Sequence, residues 1–308
     1  MLLSIIIVNY NTHEHLDKCI ESIQSNLHEI DYEIIVADNN SPDRGIENLR
    51  IKFKDVKFYF LDENKGFGSG CNYAVKKSHG KYLLLVNPDI EFINNSVIKL
   101  LKFMENDKTI GACSGLLLDQ NDMPAYNFNS FPDYSWELKN AYGVGVSNAI
   151  IKLLENPDIT GAVKRPFEVD WFHGALLLIR RDVYDEVEGF DENIFLYYED
   201  VDIQKKIKES GYKIFCLPEV SVRHFTQSSV RSIEGRKIYY YYMHLNKLYY
   251  MKKHFGIIKR SFIRINYIIG YIIRIILLPF RKKFKGRNKE KLEHYLIILN
   301  LYLFKYKF

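Results

Sequence analysis

The sequence predicts an α/β fold in which a mainly parallel sheet is flanked by helices, followed by a basic and aromatic helical region. Three observations support it: strand-like and helix-like segments alternate, polar residues follow the strand-like segments, and the charge changes sign near residue 230. Such alternation is typical of a doubly wound sheet. With 308 residues, 47% of them hydrophobic, the chain is long enough for one large domain and an appendage.

Predicted strands and helices follow one another from the first residues onward. Short apolar runs mark strands at residues 4–8, 33–37, 57–61 and 82–86. Helical periodicity fills the intervals at about residues 13–26, 44–54, 70–79 and 95–106. The first run lacks a basic leader and a small-residue cleavage site, which favours a buried strand over a signal peptide.

The middle of the chain has weaker periodicity. Residues 119–165 are rich in Asn, Pro, Tyr and Gly, which predicts long loops with a helix near residues 136–154. After it we expect a strand near 171–179 and an acidic helix that begins at Asp200. Two further strands, at 213–217 and 220–224, return to the sheet.

Charge and cysteine content limit the compartment and the partners. Residues 231–308 hold 19 Lys and Arg against 3 Asp and Glu, a net +16, whereas residues 1–230 hold 24 against 35, a net −11. The two parts are therefore expected to meet different partners. The four cysteines are far apart and form no Cys-x-x-Cys pair, so neither a zinc site nor a disulfide framework is indicated. A reducing cytosol is the simplest compartment.

Polar residues follow each predicted strand of the first half. They are Asn9, the run Asp38-Asn39-Asn40-Ser41, the run Asn64-Lys65-Gly66, and Asn87-Pro88-Asp89. In open parallel sheets ligands bind beyond the carboxyl ends of the strands, so these residues are expected to meet at one edge. Asx and proline residues are also common turn formers, and each motif alone allows that interpretation.

An acidic stretch, Glu199-Asp200-Val201-Asp202, stands at a predicted helix start. Acids in a first helical turn commonly cap free amide groups and meet the helix dipole. The same carboxylates can instead hold a base beside a substrate hydroxyl. Both interpretations stay open at this point.

Glycines at 66, 68 and 70 resemble part of a dinucleotide-binding fingerprint. Both frames, Gly66-x-Gly68-x-x-Cys71 and Gly68-x-Gly70-x-x-Tyr73, lack the third glycine, which disfavours a Rossmann oxidoreductase. These glycines still allow the backbone to approach an anion or a sugar oxygen closely.

Taken in order, these motifs resemble family 2 glycosyltransferases, and more narrowly their rhamnosyltransferase-type members. The resemblance covers roughly residues 1–254. It implies a GT-A fold, which is Rossmann-like with flanking helices, a nucleotide-sugar donor and an inverting reaction. We therefore expect a GT-A catalytic domain over residues 1–230 and a helical region that associates with a membrane surface over residues 231–308.

The resemblance assigns the donor and metal sites residue by residue. The residues implied to bind the nucleotide sugar are Asn9, Asp38, Asn40, Asn64, Lys65, Gly66, Asn72 and Asn87. Asp89 is implied to hold a divalent cation, Mg²⁺ or Mn²⁺, with His224 as a second ligand or a phosphate contact. Asn87 stands where the family usually has an acid. Because Mg²⁺ often takes only one or two protein carboxylates, this substitution is compatible with a metal site.

The resemblance also implies the catalytic and acceptor residues. Asp200 is our candidate for the general base, and Glu199 competes with it for that role. Residues implied on the acceptor side are Trp171, His173, Gly174 and Asp202, and the last of these can instead position the helix. For Trp171, core packing is the alternative. A Gln-x-x-Arg-Trp motif of processive synthases is absent from the sequence, which favours the addition of one sugar per encounter.

The basic, aromatic region contains the long apolar run 257–280, which three arginines interrupt. At helical spacing one stripe carries Arg260, Arg264, Tyr267, Tyr271 and Arg274, while Ile, Leu and Phe cover the rest. We interpret this as a helix that lies at an anionic membrane surface rather than one that spans the membrane. Packing on protein, including a homodimer, is the main alternative, and nucleic acid is not expected as a partner.

The expected function is sugar transfer from a thymidine or uridine diphosphate sugar, with rhamnose as the first candidate. The expected acceptor is a polysaccharide or lipid-linked saccharide of the cell envelope, and the expected location is the cytoplasm, peripheral on the inner face of the cell membrane. Two rivals remain from the sequence. One is a non-catalytic membrane adaptor on a GT-A scaffold, and the other is a nucleotide-binding regulator.

Overall fold

The computed structural model describes residues 1–28, 30–125, 127–143, 165–225, 233–280 and 288–305, which form two compact units. Of these residues, the first unit takes 1–131, 165–195 and 199–225. The second unit takes 132–143, 196–198, 233–280 and 288–305. The second unit therefore includes two short segments that precede residue 230 in the chain.

The elements are numbered in chain order over the described residues. The strands are β1 Leu3–Asn9, β2 Tyr32–Asp38, β3 Lys57–Phe60, β4 Tyr82–Val86, β5 Ile90–Glu91, β6 Ile110–Leu118, β7 Pro124–Ala125, β8 Phe128–Asn129, β9 Phe167–Glu168, β10 Trp171–Phe172, β11 Leu176–Arg180 and β12 Lys213–His224. The helices are α1 His13–Asn26, α2 Gly45–Lys52, α3 Phe67–Lys76, α4 Ser96–Asn106, α5 Tyr134–Tyr142, α6 Arg181–Glu186, α7 Glu199–Glu209, α8 Ile233–His254, α9 Ile257–Leu277 with a 3₁₀ turn at Leu278–Phe280, and α10 Asn288–Phe304.

The main sheet of the first unit has the strand order β3-β2-β1-β4-β11-β6-β12-β5. The strands from β3 to β4 all run parallel, and β12 runs parallel to β6. Only β11 and the short β5 run antiparallel to their neighbours along this path of described strands. The predicted mainly parallel α/β sheet with flanking helices is confirmed.

Alternating side chains of the central strands build a core on each face of the sheet. In β1, Leu3, Ile5 and Ile7 belong to one hydrophobic cluster, whereas Ile6 and Val8 belong to the other. This follows from the two-residue period of a strand, and it explains why a strand covered by helices on both sides is apolar throughout. Each such side chain contributes about 1.5–3 kcal/mol by its burial.

The strand order places several polar strand ends at one edge of the sheet. β2, β1 and β4 are neighbours, and their carboxyl ends carry Asp38, Asn9 and Asn87. β11 is antiparallel to β4, with Leu176 opposite Val86, so the start of β11 lies at the same edge. The residues before Leu176 and those after Val86 are thereby brought together.

Several boundaries differ from the prediction. Helix α3 begins at Phe67, three residues earlier than expected, because the glycines do not interrupt it. The strand expected at 171–179 is two strands, β10 and β11, which pair with different partners. Conversely, the two strands expected after residue 213 are one strand, β12, with a register shift between Cys216 and Ser221. Of the helix expected at 136–154, α5 ends at Tyr142, and residues 144–154 lie outside the described part.

In the second unit, helices α5, α8, α9 and α10 enclose a separate hydrophobic cluster. Tyr267 of α9 and Tyr302 of α10 stack with ring centroids 4.6 Å apart. Beside them Lys247 and the fully buried Glu137 form an ion pair of 3.1 Å. The Tyr267 hydroxyl donates to Glu137 at 2.6 Å and accepts from Lys247 at 2.9 Å. The unit thus has its own core with a polar centre.

The polar stripe of α9 faces the interior of the second unit. Arg264 donates to the carbonyl oxygens of Tyr302 and Leu303, and Arg274 donates to those of Asn140 and Ala141. Arginines on this stripe therefore bind helix carbonyl groups within the unit.

Helix α9 with its 3₁₀ turn, Ile257–Phe280, has the length and composition of a membrane-crossing segment, and within the described ranges it alone meets that criterion. Core helices of soluble proteins meet the same criterion, so this observation alone decides little. Whether the helix lies on, or in, a membrane depends on which of its faces is exposed.

Candidate active site

Asn9 and Asp38 form the first polar pair at the edge of the sheet. The parallel register of β1 and β2 places them side by side. The Asn9 amide donates to the Asp38 carboxylate at 2.7 Å, and both side chains are buried. Ser41 completes the group, because its backbone N–H and its hydroxyl both donate to Asp38, at 2.9 and 2.7 Å. From the sequence, Ser41 is expected to supply one of several hydrogen-bonding groups after β2, and in the structure its N–H and hydroxyl bind Asp38.

The loop that carries Gly66 is fixed against this pair. The amide of Asn39 donates to the Gly66 carbonyl at 3.0 Å, and the Gly66 N–H donates to the Asn64 side chain at 2.9 Å. Gly66 has φ 92°, and a Cβ at this position would overlap the carbonyl oxygen of Phe195. Glycine is therefore required here both for the left-handed backbone and for close packing.

Two of the residues predicted to bind the nucleotide sugar lie at the outer side of this loop. Asn40 is exposed, has φ 57°, and donates to the carbonyl of Asp62 at 3.0 Å. The Lys65 ammonium is exposed and pairs with Glu63 at 2.9 Å. Both side chains are accessible, and Lys65 can change partners at little cost because exposed ion pairs are weak.

Asn72 is fully engaged within the protein. Its amide oxygen accepts from the Tyr184 hydroxyl at 2.6 Å and from the Phe190 N–H at 2.9 Å. Its amide nitrogen donates to the Phe190 carbonyl and to Glu192, at 3.0 and 2.9 Å. All four hydrogen-bonding positions of the side chain are used. In this structure Asn72 holds the loop before the acidic motif and presents no polar atom to a ligand.

Asp89 and His224 meet at the end of β4. Nε2 of His224 lies 3.2 Å from Oδ1 of Asp89, and both side chains are mostly buried. The backbone contributes as well, because the Phe225 N–H donates to the Asp89 carbonyl at 3.0 Å. Asn87 is half-buried, and its backbone N–H donates to the carbonyl oxygen of Ala175 at 2.9 Å. Two residues 135 positions apart in the sequence are thus paired.

The Asp89–His224 pair fits a divalent cation with few protein ligands. It offers one carboxylate and one imidazole nitrogen. Mn²⁺ accepts both kinds of ligand, whereas Mg²⁺ prefers the carboxylate oxygen. Among the residues described, no cluster of three or more His, Cys, Asp or Glu side chains has the arrangement of a metal site. A cation here would therefore fill its remaining positions with phosphate oxygens and water.

His173 lies next to this pair, one residue before Gly174. Burial, and secondarily the nearby His224, lower the pKa of His173 to about 4. The imidazole is therefore neutral near pH 7. The Trp171 ring lies beside it, with centroids 5.3 Å apart and planes 30° from parallel. These two predicted acceptor-side residues form one surface.

Asp200 accepts a hydrogen bond from Gly174, the residue that follows His173. Its Oδ2 accepts from the Gly174 N–H at 3.1 Å, and its Oδ1 accepts from the Val201 N–H at 2.8 Å. Burial raises the pKa of Asp200 to about 6, and hydrogen bonds from backbone N–H groups, that of Gly174 first, limit the rise. A carboxylate with a pKa near 6 is ionised at neutral pH and can still accept a proton, as a general base requires.

Glu199 points into the protein and differs from its neighbour. It is 7% exposed, and its Oε2 has no hydrogen-bond partner. Burial, followed by the charge of Asp200, raises the pKa of Glu199 well above its ordinary range. Of the two adjacent acids, Glu199 therefore holds the proton and Asp200 carries the charge.

Asp202 is completely buried, and so is Gln204. Gln204 accepts from the Phe172 N–H at 2.8 Å and donates to the Phe172 and Asp200 carbonyls, at 2.7 and 2.9 Å. This amide fixes the first turn of α7 to β10, and sequence reasoning missed it. Its position four residues after Asp200, on the same helix face, was the available signal. The placement of Asp202 suits support of the helix rather than contact with an acceptor.

These residues belong to neighbouring strand ends at one edge of the sheet: Asp38 and Asn9 on one side, Asp89 and His224 beyond them, and Asp200 tied to Gly174. This edge therefore combines hydrogen-bonding side chains, a carboxylate–imidazole pair and an ionised carboxylate. A fold and an edge of this kind suit an enzyme that transfers a group from an activated phosphate donor.

Comparison with known families identifies the class. The model of glycosyl transferase family 2 matches residues 4–188. Because this match covers more than half of the chain, the protein belongs to that family and is a glycosyltransferase.

Curated relatives include rhamnosyltransferases. The chain is 25% identical over 240 residues to the rhamnosyltransferase WbbL of Escherichia coli, with 74% of this chain and 85% of WbbL covered. It is 24% identical over 241 residues to the N-acetylglucosaminyl-diphospho-decaprenol L-rhamnosyltransferase of Mycobacterium tuberculosis, covering 72% of this chain and 76% of that protein.

Solved structures support the same fold. The mannosyltransferase PcManGT from Pyrobaculum calidifontis, in complex with GDP-Man and Mn²⁺, matches with a TM-score of 0.58 and 13% identity, covering 98% of this chain and 87% of that one. GalNAc-T7 with UDP, GalNAc and Mn²⁺ matches with a TM-score of 0.57 and 18% identity, covering 79% and 48%. The predicted GT-A fold is therefore confirmed.

Proposed function

We propose that the protein is a metal-dependent, inverting glycosyltransferase that moves a sugar from a nucleoside diphosphate donor to a saccharide hydroxyl. Rhamnose from thymidine diphosphate rhamnose is the first donor to test, because two relatives are rhamnosyltransferases. One observation carries the proposal: the ionised Asp200 lies at the sheet edge that also holds Asn9–Asp38 and Asp89–His224.

In the proposed reaction the acceptor oxygen attacks C1 of the donor sugar. Asp200 takes the hydroxyl proton, the new C1–O bond forms, and the C1–O bond to phosphate breaks with its electron pair going to the diphosphate. Attack from the side opposite the leaving group inverts the configuration at C1. General-base help of this type contributes about 10²- to 10⁴-fold in rate.

Asp89 and His224 are the proposed ligands of the divalent cation, Mg²⁺ or Mn²⁺. When bound, the cation supplies positive charge that neutralises the departing diphosphate. Asn87 and Lys65 are the groups proposed to contact phosphate or sugar near it. The neutral His173 contributes a hydrogen-bonding group without adding charge to the site.

Asn9 and Asp38 are proposed to bind the nucleoside. Asp38 already accepts three hydrogen bonds from protein groups, which fix its carboxylate in one orientation. A carboxylate fixed in this way can accept a hydrogen bond from a ribose hydroxyl or a base N–H without further ordering cost. On the opposite side, Trp171 and His173 are proposed to stack on the acceptor sugar.

The proposed setting is glycan synthesis for the cell surface, in the cytoplasm at the inner face of the membrane. The name of the mycobacterial relative contains N-acetylglucosaminyl-diphospho-decaprenol, which is a sugar linked to a lipid through a diphosphate. A lipid-linked saccharide or a growing polysaccharide is accordingly the proposed acceptor. Residues 231–308, with a net charge of +16, suit an anionic membrane surface.

The test compares Asp200→Asn with Glu209→Gln, an exposed acid at the other end of the same helix. Transfer and slow hydrolysis of nucleoside diphosphate sugars are measured with Mn²⁺. We expect Asp200→Asn to lower turnover by about 10²- to 10⁴-fold and Glu209→Gln to leave it unchanged. Full turnover in Asp200→Asn would rule out the assigned base, and no turnover of any donor by the unsubstituted protein would favour a nucleotide-binding regulator.

A further inference from the structure

Helix α9 of the second unit presents a continuous apolar face to the outside. Its outward side chains recur every three or four residues, the spacing of one helix face. They are Ile258, Phe262, Ile265, Ile269, Ile272, Ile273 and Ile276, followed by Phe280. Ile258 is 83% exposed, Ile276 is 62% exposed and Phe280 is 79% exposed. Soluble proteins rarely expose so many large aliphatic side chains in one row.

The opposite face of α9 is turned inward and carries arginines and tyrosines. Tyr267 and Tyr271 are buried, and Arg264 and Arg274 bind carbonyl groups of α10 and α5. This arrangement is the inverse of a helix at the surface of a water-soluble protein, which turns its apolar stripe to the core. An apolar medium or partner is therefore expected on the outer side.

The charges around α9 favour a lipid bilayer, rather than a second copy of this chain, as the partner of its outward face. Lys252, Lys253 and Lys259 are exposed around the start of α9, and the sequence continues after Phe280 with Arg281-Lys282-Lys283. In the sequence, cationic residues therefore stand before and after the apolar run, as suits a bilayer with anionic headgroups, where each cation near the surface contributes about 1 kcal/mol. A second copy would bring the same positive charge against these residues, which opposes self-association through this face.

The buried groups of the second unit favour a helix that lies in the plane of the membrane. A spanning α9 would carry Arg264, Arg274 and the neighbouring Glu137–Lys247 pair into the hydrocarbon region. Charged groups at that depth cost several kcal/mol each, even by the lowest measured scales. If the helix lies flat, only its aliphatic side enters the acyl boundary, and the charged groups stay on the protein side.

We propose that the outward face of α9 is a lipid-binding surface that inserts into an anionic bilayer with the helix axis parallel to the membrane plane. Helix α10 of the same unit also exposes leucines, namely Leu292, Leu296 and Leu303. This inference rests on the membrane setting of the proposed function and deepens it, because it names the face and the orientation of the helix that would bind lipid. Sugar transfer to a soluble acceptor does not require lipid binding.

Flotation with vesicles tests binding. The full chain is compared with a triple variant, Ile265→Asn, Ile269→Asn and Ile276→Asn, and with the matched control Ile51→Asn. Ile51 is 73% exposed and lies on α2 of the first unit. With vesicles of phosphatidylglycerol and phosphatidylcholine, we expect the triple variant to lose at least about tenfold in partitioning and the control to behave as the unsubstituted chain. Equal flotation of all three would overturn the proposal.

A depth measurement tests the orientation. The cysteines of the chain are buried, so a single Ile258→Cys, Ile269→Cys or Ile276→Cys can be labelled selectively with an environment-sensitive fluorophore. We expect the fluorophore at each of the three positions to be quenched more strongly by lipids with a nitroxide near the headgroup than by lipids with a nitroxide deep in the acyl chain. Deep quenching that is strongest at position 269 would show a spanning helix and contradict the proposal.

Two further measurements separate the alternative outcomes. Sedimentation without lipid reports self-association, and a dimer that the triple variant abolishes would identify a second copy as the occupant. Hydrolysis of the donor in solution reports the catalytic edge. We expect it to be unchanged in the triple variant, so a failure of lipid binding is distinguishable from a failure of the proposed reaction.

Discussion

The carboxylate of Asp200 accepts a hydrogen bond of 3.1 Å from the backbone N–H of Gly174. This bond joins the first turn of α7 to the segment that precedes β11, which lies at the same sheet edge as the ends of β1, β2 and β4. An acid that would otherwise only cap a helix is thereby fixed at the sheet edge that also carries the proposed cation pair. The two interpretations of the acidic motif, a helix cap and a general base, are thus compatible. Oδ1 of Asp200 accepts from the Val201 N–H of the first helical turn, while the carboxylate as a whole stays half-buried at the sheet edge.

Turnover is expected to depend on the ionisation of Asp200. Burial raises its pKa to about 6 and the base acts only when deprotonated, so kcat should be constant above neutral pH. It should fall about tenfold per pH unit well below 6. A pH profile of kcat at saturating donor measures this, and a flat profile down to pH 5 would contradict it.

Glu199→Gln should leave that profile nearly unchanged. Burial keeps Glu199 protonated, so a neutral amide of similar shape replaces a neutral acid. If Glu199 instead carried charge in the native state, its removal would lower the pKa of Asp200 and move the acidic limb to lower pH. The same pH profile distinguishes the two cases.

Gln204→Leu should lower the free energy of unfolding and also lower kcat. The substitution leaves the buried Phe172 N–H and carbonyl without their partner, at a cost of about 1–3 kcal/mol for each group left unsatisfied. Urea unfolding measures the loss. Because Gln204 holds the turn that carries Asp200, kcat should fall while the KM for the donor changes little. A change in stability without any change in kcat would limit Gln204 to a structural role.

Gly66→Ala should cost more stability than Gly211→Ala, which is its matched control. Both glycines have φ near 90°, but a Cβ at Gly211 meets nothing within 4 Å, whereas one at Gly66 overlaps the Phe195 carbonyl. The control should lose about 1–2 kcal/mol from the left-handed backbone alone. Gly66→Ala should lose about 1–3 kcal/mol more from overpacking. Equal losses in urea unfolding would show that the loop moves aside freely.

Glu33 should make stability depend on pH in the acid range. Burial alone would raise its pKa, but hydrogen bonds from Lys57, Ser4 and the His79 N–H outweigh burial and lower it to about 2. Its contribution is therefore complete above its ordinary pKa of 4.5 and is lost as the pH falls toward 2. Glu33→Gln should lose about 1–3 kcal/mol at pH 7 and lose less on acidification than the unsubstituted protein. Parallel unfolding curves at pH 7 and pH 3 measure both effects.

Much of the first unit could be predicted because its signals are local. Four apolar runs became the parallel strands β1–β4, and the register of β1 and β2 then placed Asn9 beside Asp38. Pairings that depend on distant segments could not be predicted in the same way. The separation of β10 from β11 arises because Trp171 and Phe172 pair with β8, whereas Leu176 pairs with β4.

In the candidate site, too, local motifs could be predicted, whereas contacts between distant segments could not. The motifs indicated Asp89, His224 and Asp200, but Ser41 and Gln204 gain their roles only from partners that the fold brings near. Helix α9 gives the clearest case. Periodicity revealed its polar stripe, yet the inward direction of that stripe depends on carbonyl groups of Asn140 and Tyr302, which are distant in sequence.

A nucleotide site at this edge of the sheet is tested by calorimetric titration of thymidine and uridine diphosphates, with Mn²⁺ present, into the unsubstituted protein and three variants. We expect Asp38→Ala and Asp89→Ala each to weaken binding by at least about tenfold, since each removes a charged hydrogen-bonding or metal-binding group. Asp200→Asn should bind the nucleotide as the unsubstituted protein does while losing turnover. Unaltered binding in Asp38→Ala and Asp89→Ala would contradict a nucleotide site at this edge of the sheet.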